Sequence, residues 1–304
     1  MVNFEQLQKI AGIENVKEQE PMSAHTTFRI GGPADFFVEV QSEEILKELI
    51  EYCKKEGTSY FILGNGSNLL VHDEGYRGVM LSTKGLSKME FQESGNPEEM
   101  TLVTAGSGVM LSTLASKVAA KGLKGFEFAS GIPGTLGGAV TMNAGAYGGE
   151  IKDVIVHAKV LMADGTIKVL SNEELKLSYR HSVIQEEKMI VLEAAFAFEK
   201  GQVSQIQDTI RELNGKRREK QPLEYGSAGS TFKRPEGHFA GKLIQDAGLR
   251  GYRCGDVMVS EKHCGFVVNV GKGTYAQAMD VIEHVQKTVN AEFGVTLELE
   301  VKRI

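Results

Sequence analysis

No run of about 18 consecutive apolar residues occurs in this 304-residue chain, which excludes a hydrophobic helix long enough to span a bilayer. The opening Met1-Val2-Asn3-Phe4-Glu5 has neither the basic flank nor the apolar core of an export signal, so a cytoplasmic protein with no membrane partner is expected. Cysteine is scarce. Cys53, Cys254 and Cys264 form an odd, scattered set without the paired spacing of a zinc site, so reduced thiols are expected, with no disulfide framework and no structural metal. A Gly-x-x-x-x-Gly-Lys-Ser/Thr run is also missing, which sets aside a P-loop. No internal repeat and no low-complexity tract breaks the chain, and its 41% hydrophobic content suffices for one large core or two or three smaller ones.

What the chain does have is glycine in two concentrated places. Ser130-Gly131-Ile132-Pro133-Gly134-Thr135-Leu136-Gly137-Gly138 runs on through Asn143-Ala144-Gly145-Ala146-Tyr147-Gly148-Gly149 with almost no charge. Each glycine in a regular element costs roughly 0.5 to 1 kcal/mol, so such density points to tight turns or to backbone lying flat against another molecule. Gly64-Asn65-Gly66-Ser67-Asn68-Leu69 follows the apolar run Tyr60-Phe61-Ile62-Leu63. It begins like a dinucleotide fingerprint, but Leu69 stands where the third glycine belongs and Leu70-Val71 does not open a helix. A nest of backbone N–H groups holding a pyrophosphate, supplemented by Ser67 and Asn68, and a tight structural turn both fit. Together the two loops make a nucleotide-like cofactor the leading expectation.

Charge is uneven. Ten Lys and Arg face five acids between Arg211 and Arg253, a segment of +5 in a chain of −6, which leaves −11 elsewhere. A local basic region in an acidic protein suits a small phosphate-bearing ligand and not a long nucleic acid. For Arg211, Arg217 and Arg218 individually, a solvated helix end is the competing reading.

Apolar spacing predicts a helix carried by Ile45, Leu46, Leu49, Ile50 and Cys53, opened by Ser42 and closed by Gly57. Further helices are expected over 112–121, from Val203 at the spacing of Ile206, Ile210 and Leu213, and over 274–293 ended by Gly294. Strands are expected at 60–63, 154–162, 166–170, 190–198 and 296–301, with a hairpin turn at Ala163-Asp164-Gly165. Hairpins with segregated helices argue for an α+β fold, with a boundary near residue 200 where the period changes.

Six ordered motifs resemble the UDP-N-acetylenolpyruvoylglucosamine reductase (MurB) family over nearly the whole chain. They are the two glycine stretches, Asn143-Ala144-Gly145-Ala146-Tyr147-Gly148, Tyr179-Arg180-His181-Ser182, Gly229-Ser230-Thr231-Phe232-Lys233 and Leu299-Glu300-Val301. The resemblance implies a flavin-binding fold of the vanillyl-alcohol-oxidase kind in two subdomains, 1–85 and 86–200, a substrate domain at 201–295, and a strand at 296–304 returning to the flavin region. It also implies bound FAD, NADPH as co-substrate, a UDP-sugar enolpyruvyl ether as substrate, a place in peptidoglycan precursor synthesis, and no obligate protein partner.

By that resemblance Ser230 donates the proton, while Arg180 and Glu300 hold and polarise the substrate carboxylate or its enol. FAD would be held by Gly64, Asn65, Gly66, Ser67, Asn68, Leu69, Ser130, Gly131, Ile132, Pro133, Gly134, Gly137, Gly138, Ala144 and Gly145. Lys216 and Lys220 would meet the substrate diphosphate, with Lys233, His263 and Asn269 nearby and Tyr147 covering the substrate. The chain departs from the family's longer branch: little room remains between Ser182 and Ile190 for the loop that carries a clamping tyrosine. Arg234 follows the motif lysine where some members have asparagine. No histidine or cysteine stands in the first loop to tether the flavin covalently. Without the motifs, Ser230 reads as a turn serine, Arg180 as a surface arginine and Glu300 as the exposed partner of an alternating strand. A flavin oxidase of the same fold, or a flavin sensor without turnover, would share the glycine loops.

Overall fold

The computed structural model describes residues 2–92 and 100–304, and helices and strands alternate in an α+β pattern. The chain divides into two compact units, one comprising Met1–Val16, Val38–Asn65 and Met80–Arg217, the other Lys17–Phe37, Gly66–Val79 and Arg218–Ile304.

The first unit is built on an antiparallel sheet in the order Ile167–Ser171, Ile155–Leu161, Ile190–Lys200, Thr101–Gly106 and Met89–Gln92, with Leu123–Lys124 also pairing the central Ile190–Lys200 strand. The expected turn is present. Gly165 has φ +86, and the Asp164 carboxylate accepts from the Thr166 N–H and hydroxyl at 2.9 and 2.6 Å. Phe126, Phe196 and Phe198 fill the core together with Leu111, Leu114 and Val118 of the Leu111–Ala120 helix. The Glu43–Lys55 helix starts where Ser42 caps the Ile45 N–H and buries Leu46, Leu49, Ile50 and Cys53, the predicted face. Burying each such side chain contributes about 1.5 to 3 kcal/mol. Lys159 ties this helix to the sheet through Glu43 at 2.6 Å.

The glycine-rich segment holds a feature that glycine density concealed, the short helix Leu136–Thr141. Its first two amides are satisfied by backbone, Leu136 N–H on the Val109 carbonyl and Gly137 N–H on the Ser107 carbonyl, both at 2.8 Å. Tertiary hydrogen bonds therefore override the poor helix propensity of Gly137 and Gly138.

In the second unit an antiparallel sheet runs in the order Gly226–Ser227, Val267–Asn269, Val257–Val259, Arg253–Cys254. The Tyr275–Phe293 helix belongs to the same core and buries Ala278, Val281, Ile282, Val285 and Val289. Thr274 and Gln277 form a capping box at its start, and Gly294, left-handed at φ +67, ends it. The strand expected at 296–301 is an irregular extended segment. Leu297 and Val301 do point inward, but the backbone finds scattered partners: Glu298 accepts from the Lys233 N–H, Leu299 makes a single bridge with Phe232, and Glu300 donates to Thr231. A regular ladder forms only at Lys302–Arg303, parallel to Leu69–Leu70.

Candidate active site

In the first unit, Asn65 Nδ2 donates to the Pro133 carbonyl at 2.6 Å and so joins the end of the first glycine loop to the second. Gly64 packs closely on Thr135: a β-carbon there would sit 2.2 Å from the Thr135 hydroxyl and force it to move. That hydroxyl is buried without a hydrogen-bond partner, as is Ser107 Oγ beside Gly137. Buried donors left over next to a close backbone approach suit a ligand rich in acceptor oxygens, and the diphosphate of a dinucleotide supplies them. The residues thus fit FAD.

Ile132 packs on the core, Ala144 is buried, and Pro133 and Gly138 are exposed. Ser130 Oγ donates to Asn214 Oδ1 at 3.4 Å, and Gly134 accepts from the Leu111 N–H at 3.0 Å. The Gly145–Ala146 and Gly149–Glu150 strands pair directly, leaving Tyr147 (φ +55) and Gly148 (φ +89) as the two turn residues, with Tyr147 exposed at the tip.

Arg217, for which a solvated helix end is the competing reading, lies against this segment. A β-carbon on Gly131 would approach Arg217 Cδ to 2.9 Å, and burial pushes the Arg217 guanidinium below its usual value, although it stays charged. Only its helical phase, one residue from Lys216 toward the inner face, could have marked it. Arg211 and Arg218 are exposed, as that reading expected. Lys216 is exposed and paired with Glu212, which holds its ammonium above the ordinary value. Lys220 follows at i+4, exposed at the end of the Val203–Lys220 helix.

Arg180 sits in a tight turn closed by Ser178 and His181, whose N–H and carbonyl groups exchange two hydrogen bonds at 3.1 Å. Of the two central residues only Arg180 has positive φ, +55, the type II pattern that prefers glycine or asparagine. Its guanidinium lies 5.3 Å from the centre of the Tyr179 ring.

The other half of the predicted catalytic set lies in the second unit. Ser230 is half-buried after the left-handed Gly229 (φ +75). Its neighbour Thr231 is fixed on three sides: the Thr231 N–H donates to the Gly265 carbonyl, the hydroxyl accepts from the Val267 N–H, and the carbonyl accepts from the Glu300 N–H, each at 2.9 Å. Ser230 and Glu300, seventy residues apart, are thereby brought to one place. Asn68 joins them, donating from Nδ2 to the Glu300 carbonyl at 3.0 Å while its own carbonyl accepts from the Lys302 N–H at 2.9 Å. Leu69 is buried in the parallel ladder with Lys302. Gly66 has φ +62, and a β-carbon there would lie 2.2 Å from the His25 carbonyl oxygen. Ser67 is half-buried.

Lys233 is ion-paired with Glu298 at 3.1 Å. His263 is half-buried, and burial pushes its imidazole below the ordinary value. Its Nδ1 accepts from the Gly265 N–H at 3.1 Å, which places the proton of the neutral ring on Nε2. Asn269 has no capacity left for a ligand: Nδ2 donates to the Phe28 and Arg29 carbonyls, and Oδ1 accepts from the Gly271 and Gly273 amides. Its role in this geometry is to hold the turn before the 275–293 helix. Asn269→Ala is therefore expected to cost about 3 kcal/mol of stability, as several buried polar groups lose partners. Urea unfolding measures this, and an unchanged midpoint would contradict it.

Among the described residues no group of three or more His, Cys, Asp or Glu side chains could hold a metal ion, and no helix is long and apolar enough to cross a membrane.

Comparison with known proteins supplies the context for these two sets of residues. A family model described as UDP-N-acetylenolpyruvoylglucosamine reductase, C-terminal domain, matches residues 221–304, and one described as FAD binding domain matches residues 34–171. The chain is 55% identical to a UDP-N-acetylenolpyruvoylglucosamine reductase of Agathobacter rectalis over 94% of this chain and 93% of that protein. It is 52% identical to the protein of the same description from Lachnoclostridium phytofermentans, over 100% of this chain and 97% of the relative. Among solved structures, the UDP-N-acetylenolpyruvylglucosamine reductase of Thermus caldophilus superposes with a TM-score of 0.79 at 33% identity, covering 94% of this chain and 98% of that one.

Proposed function

Because the chain belongs to the UDP-N-acetylenolpyruvoylglucosamine reductase family, we propose that it reduces the enolpyruvyl group of UDP-N-acetylglucosamine enolpyruvate to give UDP-N-acetylmuramate, with Ser230 as proton donor and Arg180 and Glu300 on the substrate carboxylate. The protein is accordingly an FAD-dependent oxidoreductase of peptidoglycan precursor synthesis with a fold of the vanillyl-alcohol-oxidase type. FAD held by the two glycine loops would supply the two-electron chemistry that links NADPH to the enolpyruvyl group.

The chain's own residues handle charge and proton. Adding hydride at the terminal carbon builds negative charge on the adjacent carbon and its carboxylate, which requires a fixed cation and then a proton. Arginine's planar donor fork suits the carboxylate. A serine hydroxyl is a weak acid in water, so Ser230 acts only where its surroundings favour the departing proton. The backbone bond between Thr231 and Glu300 is the single observation that carries this assignment, because it puts the hydroxyl and the carboxylate on adjoining, rigidly held segments.

Lys216 and Lys220 take the diphosphate, with Lys233 and His263 at the substrate and Tyr147 over it. The dinucleotide is held by the 64–69 and 130–145 loops, with Arg217 as an added cation and no covalent link. In this reading 1–85 and 86–200 are the two flavin-binding portions, 201–295 is the substrate domain and 296–304 is the returning segment.

NADPH consumption that depends on the enolpyruvyl sugar nucleotide and yields UDP-N-acetylmuramate is the expected result. Consumption driven by oxygen and indifferent to the sugar nucleotide would identify a different flavin oxidase instead. Acid or heat denaturation is expected to release all the FAD into solution; yellow colour retained on the precipitated chain would contradict non-covalent binding.

A further inference from the structure

Asn143 ends the Leu136–Thr141 helix in a Schellman arrangement: the Ala144 N–H donates to the Ala139 carbonyl at 2.8 Å and the Asn143 N–H to the Val140 carbonyl at 3.2 Å. Asn143 itself is left-handed at φ +46. Glycine is the usual occupant of that position, and asparagine tolerates it. The backbone therefore does not call for an amide, yet the side chain is 1% exposed and fully engaged. Nδ2 donates to Glu150 Oε2 at 2.7 Å and to the Ser178 carbonyl at 3.1 Å, and Oδ1 accepts from the Lys152 N–H at 3.0 Å.

The Ser178 carbonyl is the one that closes the Arg180 turn, accepting from the His181 N–H as well. A non-glycine residue at Arg180's positive φ costs about 1 to 3 kcal/mol and persists only where its surroundings over-determine it. Here they grip both limbs. Asn143 holds the incoming limb at Ser178; on the outgoing limb the Ser182 hydroxyl and Gln185 Nε2 both donate to the Thr141 carbonyl, the last residue of the same short helix.

We propose that Asn143 is a positioning residue for Arg180, fixing the arginine's strained turn to the end of the glycine-rich segment and thereby setting where its guanidinium meets the substrate carboxylate. The inference rests on the assignment of Arg180 to that carboxylate.

The test separates positioning from packing. In the double variant Asn143→Asp with Glu150→Gln, the glutamine amide donates to the new carboxylate, which still accepts from the Lys152 N–H. What is lost is the donor to Ser178, together with the largely exposed ion pair between Glu150 and Lys152. Melting temperature and FAD content should stay near the parent. kcat/KM for the enolpyruvyl substrate should fall about tenfold, with the substrate half-reaction slowed and flavin reduction by NADPH unchanged, the loss of roughly one positioned hydrogen bond. The dissociation constant of UDP-N-acetylmuramate, by calorimetry, should weaken by a similar factor. In an Arg180→Ala background the double change should add nothing, since both act on one interaction.

Asn143→Gly, which suits the left-handed backbone, provides the same test if the double variant melts early. kcat/KM and product affinity within twofold of the parent, in whichever variant folds, would overturn the proposal. If Arg180→Ala itself leaves both values unchanged, it is the assignment of Arg180 that fails.

Discussion

Ser230→Ala is expected to leave bleaching of the flavin by NADPH at the parent rate while slowing its recolouring by the enolpyruvyl substrate by about 10² to 10⁴, the range of a lost general acid. The asymmetry follows from where the hydroxyl is needed. Only the second half-reaction places a proton on carbon, so only that half loses its donor. Ser230 is half-buried and its neighbour Thr231 carries the structural bonds, so removing one hydroxyl should not disturb the fold. Rapid-mixing absorbance under anaerobic conditions separates the two halves. Recolouring within a fewfold of the parent would remove Ser230 from the reaction, and equal slowing of both halves would assign it to flavin positioning.

Arg180→Ala is expected to lower kcat for the substrate half-reaction by about 10² to 10³, as when a preorganised donor to developing charge is deleted. Lysine at the same position should recover only part of this loss, because a point charge cannot reproduce the guanidinium fork. Alanine also relieves little of the positive-φ strain, so the melting temperature should move far less than the rate. Steady-state kinetics with thermal unfolding would test the pair of expectations. A KM effect alone, with kcat intact, would mean that Arg180 binds the ground state and transition state equally.

The sequence displayed the long regular elements plainly. The 43–55 and 275–293 helices carry apolar residues at helical spacing between real caps, Ser42 in one and Thr274 with Gly294 in the other. The Asp164-Gly165 turn was equally legible, because its positive φ and Asp side-chain bonds are local chemistry. The 136–141 helix was hidden because its stability comes from the carbonyls of Ser107 and Val109, which no local pattern reveals. At 296–301 the alternation reported burial correctly and hydrogen bonding wrongly: Leu297 and Val301 do face inward, but the partners that would make a ladder are spread over Thr231, Phe232 and Lys233.

The candidate site divides along the same line. Ser230, Arg180 and Glu300 were reached through ordered motifs, since nothing in the local spacing of a serine after glycine or a glutamate in an extended segment announces chemistry. Asn269 shows the converse. It lies in a motif-like run near the substrate residues, and its amide is consumed by four backbone groups. The supports are invisible in the sequence for a physical reason. Asn143, Ser182 and Gln185 act through backbone carbonyls of Ser178 and Thr141, and the Thr135 hydroxyl matters because nothing among the described residues pairs with it. Each of these facts exists only after the chain is folded.

The proposed chemistry joins flavin held by the glycine loops, as the carrier of reducing equivalents to an enolpyruvyl carbon, to Ser230 and Glu300 as the groups that handle its proton and charge. Its most direct test is a sealed, oxygen-free cuvette of the purified yellow protein given one equivalent of NADPH and then one of UDP-N-acetylglucosamine enolpyruvate. The account predicts complete bleaching at the first addition and complete return of colour at the second, with UDP-N-acetylmuramate formed in equal amount. A colourless protein that FAD cannot reconstitute, or a bleached one that the sugar nucleotide leaves bleached, would contradict it.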